Sequence, residues 1–230
     1  MRSEMVCTRV RAGWRSAFCV ILLVGFAGMA AAQTSACGDK DYNCQIAENT
    51  KLIQAEPTSA TAYMKRGDAY YNQGTNYQMA VSDYSKVIEL DPKNAQMYGY
   101  RADAYVKLNL YDLAMKDYDR SIQMDPNNSE TYVSRGNALD DHGEFDRAIA
   151  DYNKAIQLKP GDALAFYNRG VAYGAKKMNN AALLDYSKAI SLDPNYANSY
   201  KNRAILYDLN KEPEKAAADR KKYEELTKEP

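Results

Sequence analysis

The sequence predicts an all-α chain of stacked two-helix hairpins. Three observations predict it. Pro92, Pro126, Pro160 and Pro194 stand 34 residues apart without a slip, and a fixed period of about that length marks tandem helical repeats. Each proline closes a near-copy of one phrase: Ile88-Glu89-Leu90-Asp91-Pro92, Ile122-Gln123-Met124-Asp125-Pro126, Ile156-Gln157-Leu158-Lys159-Pro160 and Ile190-Ser191-Leu192-Asp193-Pro194. Upstream of each phrase, a large residue, a small one and usually a tyrosine fall four and then three apart. Tyr63, Gly67 and Tyr70 are the first such set, and this spacing places them on one helical face.

The segments follow in order. Residues 1–32 carry Arg2, Arg9, Arg11 and Arg15 ahead of an apolar run that ends in Ala30-Ala31-Ala32. A positive start, an apolar centre and small closing residues predict a signal peptide cleaved after Ala32. The apolar run, about 15 residues from Ala17, is shorter than the roughly 20 that span a bilayer, so no stable membrane insertion is expected after cleavage. The chain is therefore expected to be exported, periplasmic or secreted. The leader is of bacterial type; in a eukaryotic secreted protein Asn127-Asn128-Ser129 would be a glycan acceptor. Removing residues 1–32 takes away four Arg and one Glu and leaves 26 basic against 29 acidic side chains. Cys7 and Cys19 leave with the leader. Cys37 and Cys44 remain and are read as a disulfide in an oxidising compartment, with free thiols as the alternative. A lipidated Cys37 is disfavoured, because no Leu stands at the third position before it.

Residues 33–59 are read as a capping half-repeat, since Tyr42 to Pro57 aligns with the second helix of a unit. Five hairpins follow at 60–94, 95–128, 129–162, 163–196 and 197–230. Their anchor residues are Tyr63, Arg66-Gly67, Tyr70, Ala80 and Tyr84 in the first; Tyr98, Arg101-Ala102, Tyr105, Ala114 and Tyr118 in the second; Tyr132, Arg135-Gly136, Leu139, Ala148 and Tyr152 in the third; Phe166, Arg169-Gly170, Tyr173, Ala182 and Tyr186 in the fourth. Proline ends each second helix by removing a donor and clashing with the preceding turn. An extra residue in the first hairpin is assigned to the loop Gly74-Thr75-Asn76. The fifth unit keeps Tyr200, Arg203-Ala204, Tyr207 and Ala216, but Arg220 replaces its aromatic and Lys228 its proline. A second helix so charged has no further neighbour to bury against and reads as an end cap.

These residues resemble the tetratricopeptide repeat family, whose pattern is an aromatic, a Leu-Gly pair, a tyrosine, then Ala-x-x-x-aromatic and a closing proline. The resemblance covers residues 60–230. It implies a right-handed α-solenoid in which the first helix of each hairpin lines an inner groove that binds a protein or peptide partner. Exposed groove side chains in the family fall at the second, fifth, ninth, twelfth and thirteenth positions of a unit. Carried over, these positions give a polar, mostly acidic half that includes Met64, Asp68, Tyr71, Asp103, Lys107, Val133 and Asn137. A largely apolar half includes Leu164, Tyr167, Val171, Lys201, Ile205 and Leu209. A partner is expected to set basic residues toward Asp68 and Asp103 and apolar ones against Tyr167, Val171 and Ile205. One branch of the family grips chaperone carboxylates with a Lys and an Asn that would fall at Met64 and Asp68. An aspartate repels a carboxylate, so that ligand is not expected.

Two alternatives to the adaptor remain. The apolar half could dock a second copy of the chain, making a homo-oligomeric module. The third reading is an enzyme using the acidic group Asp140, Asp141, Glu144 and Asp146, which is more simply a solvated helix end and loop. No calcium loop, no nucleophile with a base and no glycine-rich phosphate loop is present, so no catalytic site, metal or cofactor is expected. The sole histidine, His142, cannot build a multi-histidine centre. Balanced charge, 30 Lys and Arg against 30 Asp and Glu, argues against nucleic-acid binding. Five arginines, Arg66, Arg101, Arg135, Arg169 and Arg203, are answered by Asp83, Asp117, Asp151, Asp185 and Asp219. Four of these pairs are 16 residues apart across the hairpin turn, and all five predict an internal ion pair rather than an anion ladder.

Overall fold

The computed structural model describes residues 37–228; the leader assigned to residues 1–32 lies outside them. Among the described residues the chain is eleven helices and no strand: α1 Tyr42–Ala55, α2 Ala60–Gln73, α3 Tyr77–Leu90, α4 Ala95–Lys107, α5 Tyr111–Met124, α6 Ser129–Asp141, α7 Phe145–Leu158, α8 Ala163–Ala175, α9 Asn179–Leu192, α10 Ala197–Leu209 and α11 Pro213–Thr227. No described helix is long and apolar enough to cross a membrane.

The closest packing is within the pairs α2–α3, α4–α5, α6–α7, α8–α9 and α10–α11, while α1 lies against α2. The small residue of each first helix makes that packing possible. A Cβ added at Gly67, Gly136 or Gly170 would lie 2.8, 2.6 or 2.8 Å from a ring carbon of Tyr84, Tyr152 or Tyr186. These tyrosines and Tyr118 are among the large buried side chains of the hairpin cores. Pairs are joined to one another through the Pro-containing turns. The residue before each proline (Asp91, Asp125, Lys159, Asp193) is extended, with ψ between 82 and 96°, as the proline ring demands. Three of these are aspartates whose Oδ1 accepts the N–H two residues on, which rigidifies the turn.

Within hairpins a single left-handed residue reverses the chain: Gly74, Asn109, Gly143, Lys177 and Lys211, with φ from 58 to 83°. The extra residue of the first hairpin lies in this loop, as the sequence predicts: two residues, Thr75 and Asn76, separate the left-handed Gly74 from α3, whereas one separates Asn109, Gly143, Lys177 and Lys211 from the helix that follows.

Helix α4 approaches α6, and α6 approaches α8, whereas each second helix packs on the first helices flanking it. The first helices therefore form the tighter, inner side of the stack. On α11 only Ala216 and Asp219 are buried, and Arg220 takes the tyrosine's place and pairs with Asp208.

Candidate functional site

The arginine ladder is internal to the scaffold. In all five hairpins the guanidinium Nε and one terminal nitrogen donate to the two carboxylate oxygens of the paired aspartate at 2.7–2.9 Å. The other terminal nitrogen reaches the second helix of the preceding unit, donating to Thr50, Ser85, Asp119, Asn153 or Ser187 at 2.6–3.2 Å. The aromatic three residues earlier stacks on each guanidinium, with ring centroids 5.4–5.9 Å away. Held on all sides, these arginines offer nothing to an outside anion.

The accessible chemistry lies on the first helices. One cleft of about 310 Å³ is lined by Asp68, Tyr71, Asn72, Tyr84, Tyr100 and Asp103. A second, of about 270 Å³, shares Tyr71 and Asp103 and continues to Lys107, Ser134, Asn137 and Asp141. The groove is thus continuous across the first three hairpins. Two of its carboxylates accept tyrosine hydroxyls: Tyr84 Oη donates to Asp68 at 2.8 Å and Tyr118 Oη to Asp103 at 2.6 Å. Burial pushes both carboxyls above their ordinary range, against the opposing pull of those hydroxyls. Burial, Asp103 and Tyr77 push the Tyr71 hydroxyl up to about 12.

Met64 is half-buried against the first hairpin's core, and Lys107 and Asn137 are exposed. In the apolar half, Leu164, Ile205 and Leu209 are 43, 51 and 63 % exposed, and Lys201 is exposed. Tyr167 and Val171 instead pack beside Ala182, Tyr186 and Leu206. The Tyr167 ring lies 4.9 Å from that of Tyr196, and its hydroxyl accepts from Asn202 Nδ2. Val133, carried over as a groove residue, is buried with Tyr132, Ala155 and Ala165, because α8 closes over this part of α6.

Models of the tetratricopeptide repeat match residues 64–129, 163–196, 117–150 and 186–218, and a further TPR repeat model matches 136–177. The chain belongs to the tetratricopeptide repeat family. Among solved structures, this tetratricopeptide chain is similar to MamA, with 26 % identity, TM-score 0.63, and coverage of 70 % of this chain and 93 % of that one. It shares its fold with PilF of Pseudomonas aeruginosa, at 21 % identity, TM-score 0.70, and 74 and 78 % coverage. The same holds for YrrB, described as a TPR protein with an unusual peptide-binding site, at 21 % identity, TM-score 0.59, and 78 and 92 % coverage. A search of curated proteins returns no match.

The acidic group of the third tetratricopeptide hairpin does not converge. Glu144 accepts from the Tyr111 hydroxyl and from Arg147, and His142 stacks on Tyr111 with centroids 3.9 Å apart. Asp146 pairs with Lys176. Among the described residues no three His, Cys, Asp or Glu side chains are placed to share a metal ion. Two parts of the groove escaped the repeat pattern: Tyr100 and Ser134, which line the first and second clefts, and the second-helix hydroxyls of Tyr84 and Tyr118. The pattern assigns those two tyrosines to the core, which is true of their rings but not of their polar tips.

Proposed function

We propose that the protein is an exported, non-enzymatic adaptor that holds a segment of a partner protein in the groove of its first helices. The observation that carries this reading is the pair of adjoining clefts along α2, α4 and α6, whose lining residues change from hairpin to hairpin while the ladder beneath them does not. Groove composition that departs from the repeat is free to serve recognition. The exposed Leu164, Ile205 and Leu209 extend the same face with apolar contact. The leader read in residues 1–32 and the Cys37–Cys44 disulfide at the front of α1 support export to an oxidising compartment. YrrB, with its peptide-binding site, offers a precedent on the same fold. A second reading is self-assembly, favoured by the exposure of Ile205 and Leu209.

The test is made on the chain recovered from the exporting cell. It should begin at Gln33 and retain a partner that the Lys107→Glu, Ile205→Asp, Leu209→Asp variant loses. All three side chains are exposed, so the variant should fold, unlike one altered at the packed Val171. Equal retention by the variant removes the groove from the account, and a retained leader removes export. Recovery of a second copy alone, lost in the variant, would favour self-assembly.

A further inference from the structure

The ladder recurs in every hairpin because every hairpin needs it to pack. The ninth position does not recur: it is Asp68, Asp103, Asn137, Val171 and then Ile205. Folding does not require a carboxylate there, and the third hairpin shows why. Asn137 accepts the Tyr152 hydroxyl at 2.8 Å just as Asp68 and Asp103 accept theirs. The negative charges at 68 and 103 are therefore surplus to packing. Their hydrogen-bond donors are neutral hydroxyls, Tyr84 for one and Tyr118 with Ser134 for the other, and only Lys107 tempers Asp103 from a distance.

Both carboxylates open on the same cleft of about 310 Å³, whose walls are Tyr71, Tyr84 and Tyr100. Tyrosine faces attract a cation through the ring quadrupole, and the attraction grows as water is excluded. Partial burial likewise strengthens the pull of each carboxylate on an opposite charge. A hard metal ion would need more oxygen ligands than two half-occupied carboxylates supply. A basic side chain needs no more than this, because its methylene stem can lie on the rings while its head meets the charges.

We infer that this cleft takes a Lys or Arg side chain of the partner segment, its charged head at Asp68 and Asp103 and its stem against Tyr71 and Tyr100. The inference rests on the groove reading above and adds what the partner must carry at this point. The burial penalty on the two carboxylates, evident in their raised titration, is offset when the cation arrives.

The experiment titrates the full chain with capped Gly-Lys-Gly, Gly-Arg-Gly and Gly-norleucine-Gly peptides and with spermidine, following the NMR resonances of Tyr71, Tyr100 and Asp103. The Lys and Arg peptides should shift these resonances and the norleucine peptide should not. Asp68→Asn with Asp103→Asn should weaken the basic peptides at least tenfold without lowering the thermal midpoint, since asparagine still accepts the tyrosine hydroxyls. Equal shifts from norleucine, or unchanged affinity in the double variant, overturn the inference. Binding of spermidine alone also overturns it, by making the cleft a site for free polyamines. Partner capture separates the two levels of the account. A partner held by the double asparagine variant but lost in the Lys107, Ile205, Leu209 variant removes the cation cleft and keeps the groove. One held by both removes both.

Discussion

Each ladder arginine joins three helices: its own, its hairpin partner through the aspartate, and the second helix of the preceding unit through its remaining terminal nitrogen. The aspartate side chains are only 4–11 % exposed, so removing one strands a guanidinium that keeps a partner on one side alone. Asp151→Ala should therefore lower stability by on the order of 3–5 kcal/mol in denaturant unfolding. A variant as stable as the native chain would contradict the ladder's structural role. The 16-residue spacing across the turn made the Arg–Asp pairing legible in the sequence. The third bond was not legible, because its acceptors Thr50, Ser85, Asp119, Asn153 and Ser187 share only the possession of an oxygen. The same position in the last hairpin is Lys221. A lysine donates and cannot accept, so the face beyond α11 has no seat for a sixth arginine, consistent with a terminal helix.

At the scale of the element, proline, glycine and helical periodicity marked the hairpins, but the left-handed turn residue was visible only where it is glycine. Asn109, Lys177 and Lys211 hold the same conformation with a side chain attached. Left-handed backbone crowds a Cβ, and the surrounding hairpin overrides this local preference. Replacing Lys177 by Gly should accordingly raise stability by about 0.5–1 kcal/mol, read from the denaturant midpoint. A loss of stability would mean that the Lys177 side chain holds the turn by a contact of its own. Helix starts show a parallel trade. Asn128 and Asp162 cap α6 and α8 with side-chain oxygens. At the start of α10 the equivalent residue is Tyr196, which gives up the cap and packs on Tyr167. That exchange draws Tyr167 partly into the core, which the groove pattern taken from the family had no means to indicate. Val133 was misplaced for a related reason: position within a unit does not reveal how closely the next first helix leans in.

For the whole molecule, the 34-residue period settles the stacked architecture and leaves one face of first helices as the inner wall. The polar cleft along α2, α4 and α6 and the apolar Leu164, Ile205 and Leu209 give that wall two chemistries. The outer face has exposed apolar residues as well, Leu113 on α5 and Leu184 on α9, so exposure alone does not choose between the faces. Site-specific photo-crosslinking in the native cell does. With the photoreactive residue placed in turn at Lys107, Leu209, Leu113 and Leu184, the account predicts partner adducts from Lys107 and Leu209 only. Adducts confined to Leu113 and Leu184 would contradict it.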